Sequence, residues 1–434
     1  MSVTKWSRDS CRPPQFAHDA APGANEVARR DLGYYLASVV VRTLGMAFTS
    51  VALPLFALIH LRATVVEMSL LVAAGTAPSV VTALVAGALV DRYRRLPLLV
   101  WGRAAGAAIL AVVPLAAMTG ALSMPILYGV ALLLAAVNDV VGTASVSYPP
   151  MLVRQEQLAQ VNARVWELWA CAQTAGKPLA VGLIAIAGPC WAVAVDVVAY
   201  LVSAVCITRI QTAEPQPQPR ERGSTVWGET KSGLRYTRAD PIMWRLLLCT
   251  TVMRVSLTAW DTLLLVLLVQ HLHYSAVTVG LVVGCGGIGG LVGAKSAPRW
   301  GDGPLMQCAL AILPLAMLLV LLVLLVGTGP AVPYVIGAAV AVWTAAAVAY
   351  GSKQRFVCQG RCSPEYQGRL QSVSTWITLT PCAVAVLAAG QLVELVGLRP
   401  AMAFAAVTAV SAFALVRSPA RHLRDSPSRN MAKA

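Results

Sequence analysis

Eight charged side chains stand inside stretches of sequence that are otherwise apolar: Arg42, Arg103, Asp139, Glu167, Lys177, Asp196, Arg254 and Asp261. A charge in lipid-like surroundings costs several kcal/mol, so each needs a partner, a watery space or a job. A carboxylate so placed can take up and release a proton as its surroundings change, and a cation can hold it or an anionic ligand. Spacing narrows the chemistry. Arg254 and Asp261 are two helical turns apart and share one face. Asp139 follows Asn138, and Thr143 and Ser147 continue its face at i+4 and i+8 as a polar stripe. Trp166, Trp169, Gln173 and Lys177 recur every three or four residues, an aromatic and cationic face. Trp260, Trp343 and Trp376 lie deep inside apolar windows, where an indole suits stacking on a bulky ligand or plain packing. Arg42 and Asp139 read equally well as an ion pair holding the chain together. Glu167 stands near a helix end, and Arg103 is expected to snorkel to an interface.

No phosphate-binding glycine loop, metal motif or nucleophile elbow occurs. The chain is therefore read as neither an enzyme nor a cofactor or metal protein, and uphill work must draw on an ion gradient. The ten cysteines, including the Cys358/Cys362 pair, are read as free thiols. His60, His271 and His273 fall at window ends and read as exposed loop residues.

The elements that must position these groups follow from composition. The 434 residues are 57% hydrophobic and only 12% charged, with a mean hydropathy of +0.68. A soluble domain needs roughly a quarter charged residues, so most of this chain faces lipid. Twelve apolar windows are long enough to cross a bilayer as helices, at about 33–59, 68–90, 96–119, 125–148, 166–188, 191–209, 243–270, 277–299, 304–327, 332–351, 370–393 and 400–416. They lack the two-residue alternation of membrane strands, which leaves an all-α bundle.

The net charge of +15 is concentrated in alternate loops. Arg92, Arg94 and Arg95 follow the second window, Arg154 and Arg164 the fourth, and seven Arg or Lys surround the gap after the sixth. The intervening loops hold little beyond Arg62 and Arg399. This is the positive-inside pattern, and it predicts an inner-membrane protein with both termini in the cytoplasm. The charge is thus a topology signal and not a nucleic-acid footprint. The Pro/Gln-rich run starting TAEPQPQPRERGS divides the windows six and six. The expected organisation is a tail at 1–32, a six-helix half at 33–209, a linker at 210–241, a second half at 242–417 and a tail at 418–434.

Six plus six invites a search for a repeat. Window one reads VVVRTLGMAFT and window seven TVMRVSLTAWD, which aligns Arg42 with Arg254, Ala47 with Ala259 and Phe48 with Trp260. The second window ends GALVDRYRR, Gly87 to Arg95. Here the chain resembles the major facilitator superfamily, whose signature at that loop is Gly, Asp-Arg, then Gly and two basic residues. Gly87, Asp91, Arg92 and Arg95 match; Arg94 replaces the second Gly, and Leu96-Pro97 the last basic position. The segments at 149–163, 232–248 and 368–401 are similar to the enterobactin-exporter and drug-efflux branch.

The resemblance implies two six-helix halves around a central cavity lined by the first, fourth, seventh and tenth helices. It makes Gly87, Asp91, Arg92 and Arg95 an inner-gate motif, and Asp139 and Asp261 coupling candidates. Arg42, Asn138, Lys177, Arg254, Trp260, Trp343 and Trp376 become candidates for the substrate cavity. Asp196, on a usually peripheral helix, reads as a structural partner. In the branch's fifth-helix antiporter motif, AGKPLAVG keeps Pro178 and Gly182 but has Lys177 where Gly is usual. The implied activity is monomeric, proton-coupled export of a small organic compound such as an antibiotic, another natural product or a siderophore. Uptake of a nutrient or ferri-siderophore, or a non-transporting sensor on the same fold, are the rivals.

Overall fold

The computed structural model describes residues 24–153, 155–212, 214, 226–296, 302–326, 329–361 and 367–425. Among them the regular structure is entirely helical. The apolar windows become α1 (Ala24–Ile59), α4 (Arg95–Met118), α5 (Met124–Val146), α7 (Gln155–Ala187), α8 (Pro189–Thr208), α10 (Pro241–Val266), α11 (Ala276–Ser296), α12 (Asp302–Val326), α13 (Val332–Arg361), α14 (Gln367–Val396) and α15 (Leu398–Asp425).

The second window behaves differently. It forms two shorter helices, α2 (Val65–Ala74) and α3 (Ser79–Arg92), because Gly75-Thr-Ala-Pro78 intervenes. Proline offers no N–H and disfavours helix in the residue before it, so the ladder stops and restarts. A capping box starts α2, with Thr64 accepting from Glu67 N–H and Glu67 accepting from Thr64 N–H at 2.7 Å. One turn, α6 (Pro149–Leu152), joins α5 to α7, and the interhalf segment contains α9 (Val226–Ala239). Among the described residues ten helices are long and apolar enough to cross a membrane. The broken second window and the 16-residue apolar stretch Leu398–Phe413 fall short of that length.

The packing displays the duplication that the sequence shows only faintly. In the first half α1 packs on α8 and α7, α4 on α8 and α5, and α2 and α3 on α5. In the second, α10 packs on α15 and α14, α12 on α15 and α13, and α11 on α13. Each contact recurs six spans later. The halves meet along α7 against α11, and along α14 against α2 and α3.

Small residues allow the closest approach. A Cβ added at Gly289 or Gly293 of α11 would run into the backbone carbonyls of Ala341 and Ala345 on α13. Backbone cannot rotate aside as a side chain can. Gly289→Ala is therefore expected to destabilise the purified protein by roughly 1–3 kcal/mol, the usual range for overpacking. The check is the thermal unfolding midpoint, with Gly142→Ala, which meets open space, as the control that should not move.

One hydrophobic core runs through both halves, and they share it at the end remote from the termini. It joins Leu53, Leu55 and Leu58 of α1, Met68 of α2, Ile184 of α7, and Leu263 to Leu268 at the end of α10. There α10 widens into a π-helical turn, Leu267–His271, and Gln270 donates to the Ala63 carbonyl of the other half at 2.6 Å. Near the termini a second core, built on Tyr35, Leu99, Val141, Tyr148 and Ile207, belongs to the first half alone. The halves are joined at the far end.

Candidate functional site

Arg254 and Asp261 project from the same face of α10 and are exposed, although their helix neighbours Met253, Ala259, Trp260 and Thr262 are buried. Thr258 lies between them and donates back to the Arg254 carbonyl. Lys177, from α7 in the other half, and Arg254 are the cations whose fields reach Asp261. Among the described residues none of these three forms an ion pair within 4.0 Å. The result is a carboxylate in the field of two cations, one from each half.

Arg42 takes a different place from its repeat partner Arg254. It is only 6% exposed. Its Nη1 donates to Asp196 Oδ1 at 2.8 Å, and its Nη2 donates to the Tyr200 hydroxyl at 2.5 Å. The guanidinium carbon lies 3.6 Å from the Tyr200 ring centroid. Thr49 fills the other oxygen of Asp196 at 2.5 Å, and Tyr200 donates to Asn138 Oδ1 at 2.8 Å. Arg42 and Asn138 thus belong to a buried network between α1, α5 and α8, facing away from the space between the halves. The symmetry breaks because α8 carries Asp196 where the matching surface of α15 is Ala401, Ala405, Ala406 and Ala409.

Asp139 is half-buried, and its recorded partner is the Thr82 hydroxyl on α3. The expected Arg42–Asp139 ion pair does not form; Arg42 is taken by Asp196. Trp260 and Trp343 are 0% and 3% exposed and pair edge to face with centroids 5.8 Å apart. Each packs on the other and presents no ring face to a ligand in this conformation. Trp376 and Lys177 are half-buried. Arg103, expected to snorkel, is 3% exposed and stays inside.

Of the inner-gate motif, the side chains of Gly87, Asp91 and Arg92 lie outside the described residues. Arg95 opens α4, and its N–H and that of Leu96 donate to the Glu214 carboxylate at 2.6 and 3.1 Å. A carboxylate there meets unsatisfied amides and the positive end of the helix. Asp31 similarly accepts from Gln211 N–H, Thr212 N–H and the Thr212 hydroxyl, at 2.9, 2.7 and 2.7 Å. The chain leaving α8 is thus laced to α1 and α4. Sequence reasoning missed both acids because each pairs across more than a hundred residues.

The profile of the Major Facilitator Superfamily matches residues 35–378. The chain belongs to that superfamily. Among solved superfamily-like structures, a bacterial homologue of the iron transporter ferroportin, inward-facing, aligns with a TM-score of 0.70 at 15% identity, covering 90% of this chain and 99% of that one. The POT family transporter PepTSo aligns at 0.69 with 14% identity, over 92% and 99% of the two chains. The nucleoside transporter NupG aligns at 0.65 with 11% identity, over 90% and 99%. No curated protein matches the sequence significantly. At these identities the structures share the facilitator fold, and the chain is a multi-pass membrane transporter by family.

In this facilitator fold the second half has its own brace at the end bearing the termini. Asp240 caps α10, accepting from Ile242 N–H at 2.8 Å, and also accepts from Arg361 Nε of α13 at 2.9 Å. Burial pushes its carboxyl up, but the Arg361 guanidinium and the cap amides outweigh that and hold it below the usual carboxylate range. A lowered folded-state value stabilises above the unfolded value, near 4, and the gain vanishes as pH falls through the folded one. Asp240→Asn is therefore expected to lose stability at neutral pH and to converge on wild type in strong acid. Unfolding midpoints at pH 7 and at successively lower pH check this; a gap that persists in acid would mean that charge is not its source.

Proposed function

We propose that the protein is a secondary active transporter that exports a small organic compound, an antibiotic, another natural product or a siderophore, in exchange for inward protons. It acts as a monomer in the cell's inner membrane with both termini in the cytoplasm, and performs no covalent chemistry. The observation that carries this reading is Asp261, exposed and in the field of Lys177 of the opposite half and Arg254 of its own helix. A carboxylate in that position can be held by Lys177 in one state and protonated in another, once the halves have rocked apart. Arg254 and Lys177 then offer an anionic or zwitterionic ligand two cations when the proton is aboard.

In this proposal Asp261 couples, Lys177 and Arg254 bind, and Trp376 supplies an aromatic wall. Asp139 is kept as a second coupling candidate at the α3–α5 seam. The motif Gly87, Asp91, Arg92 and Arg95 guards the inner end, where Glu214 already holds the start of α4.

The test is accumulation of labelled natural products and siderophores by everted membrane vesicles energised with a proton gradient. Uphill accumulation that an uncoupler abolishes supports export. Accumulation by right-side-out cells with none in everted vesicles would make the protein an importer. Cysteine labelling completes the orientation: positions 62, 121 and 272 should react with an impermeant reagent in intact cells, and 231 should not.

A further inference from the structure

The first half holds a cluster of buried charge that the transport reading does not use. Arg42 and Arg103 are 6% and 3% exposed, and Asp196 is the buried carboxylate beside Arg42; the half's other buried carboxylate, Asp31, is engaged by Gln211 and Thr212. Asp196 is spent: Arg42 holds one oxygen and Thr49 the other. The nearby phenols are spent too, since Tyr200 accepts from Arg42 and donates to Asn138, and Tyr35 is bound to Ser145. Asp139 is engaged at α3 through Thr82.

Arg103 is left with donors and no acceptor. Its Nε and Nη1 are buried without a hydrogen-bond partner among the described residues. The groups whose fields reach it are Arg42, Tyr200, Tyr35 and Cys206, and the nearest charge among them has its own sign. A third orphan lies on α1. Ser38, wholly buried, has no partner for its hydroxyl. It lies between Tyr35 and Arg42 at helical spacings of three and four, so the three share one face, and the fields of Tyr35 and Arg42 reach Arg103. Ser203 of α8 ties that stretch down by donating to the Ser38 carbonyl at 3.0 Å.

Orphaned donors, with two cations in each other's field and one carboxylate between them, call for an acceptor that is itself negative. Water would satisfy the donors but leave the charge. The α4–α8 wall is tight: a Cβ at Gly106, three residues on from Arg103, would strike the Tyr200 ring. A large oxyanion has little room there. We propose that a monovalent inorganic anion of halide size binds between α1, α4 and α8, held by Arg103 Nε and Nη1 and by the Ser38 hydroxyl. It neutralises the Arg42–Arg103–Asp196 cluster and stabilises the first half, independently of which substrate is carried or in which direction.

The experiment is thermal unfolding of the purified full-length protein in detergent, in chloride, bromide or gluconate at constant ionic strength. Wild type should show a midpoint that rises by several degrees and saturates with chloride or bromide, and stays low in gluconate. Arg103→Gln should remove the halide dependence and unfold above wild type in gluconate, because the uncompensated charge is gone. Ser38→Ala should keep the dependence with its half-saturating concentration raised several-fold. If wild type unfolds identically in chloride and gluconate, the site does not bind halide and the proposal fails. A halide response that survives in Arg103→Gln would equally overturn it. Should Arg103→Gln not fold, Ser38→Ala decides, and an unshifted chloride midpoint there sinks the site.

Discussion

Asp196→Asn is expected to cost the protein about 3–5 kcal/mol, the range for breaking a buried ion pair from one side. The carboxylate is the shared acceptor of Arg42 and Thr49 at a 0% exposed position. Its amide replacement leaves Arg42 buried without its carboxylate partner. Because α1 also presses Gly45 against Asp196 and Ala199, the loss falls on the main α1–α8 contact. Low membrane abundance and a sharply lowered unfolding midpoint are the readouts. Arg42→Met with Asp196→Leu should recover much of the stability, since two apolar side chains replace a desolvated pair at little net cost. A stable, abundant single variant would show that the network is hydrated and functional, and would return Arg42 to the substrate path.

Asp261→Asn should have the largest effect on transport without that collapse. Its side chain is exposed and unpaired within 4.0 Å among the described residues, so the fold loses little. An amide keeps shape and hydrogen bonding but cannot carry a proton. Uphill accumulation in energised vesicles should therefore fall to passive equilibration, while exchange of labelled for unlabelled substrate persists. Asp139→Asn is expected to slow turnover and leave coupling intact, because its oxygen serves the Thr82 bond at the α3–α5 seam. The reverse outcome, with coupling lost in Asp139→Asn and kept in Asp261→Asn, would move the proton to Asp139. Lys177→Met should weaken binding in either case if the opposing cation meets the substrate.

The residues by themselves determined a good deal about this protein. Low charge and long apolar windows dictated helices in lipid, since no other open backbone can satisfy itself there. GALVDRYRR placed the chain in the right superfamily, and the Arg42/Arg254 match caught a real duplication. The Gly75–Pro78 break was also open to reading, as a local rule sufficed. What stayed hidden was which neighbour each helical face meets. Spacing puts Arg254 and Asp261 on one side of α10, but it says nothing of Lys177 arriving from α7. Arg42 and Arg254 look equivalent in sequence; the opposing helix makes one a buried anchor and leaves the other exposed. Mid-window Trp260 and Trp343 fit a ligand wall or a core equally, and their mutual packing chose the core. Arg103 could have reached either water or the interior, and the seat of α4 against α8 held it inside. Periodicity acts within one helix, whereas burial and pairing depend on how helices far apart in the chain are rotated against each other. Only the packed bundle sets that rotation.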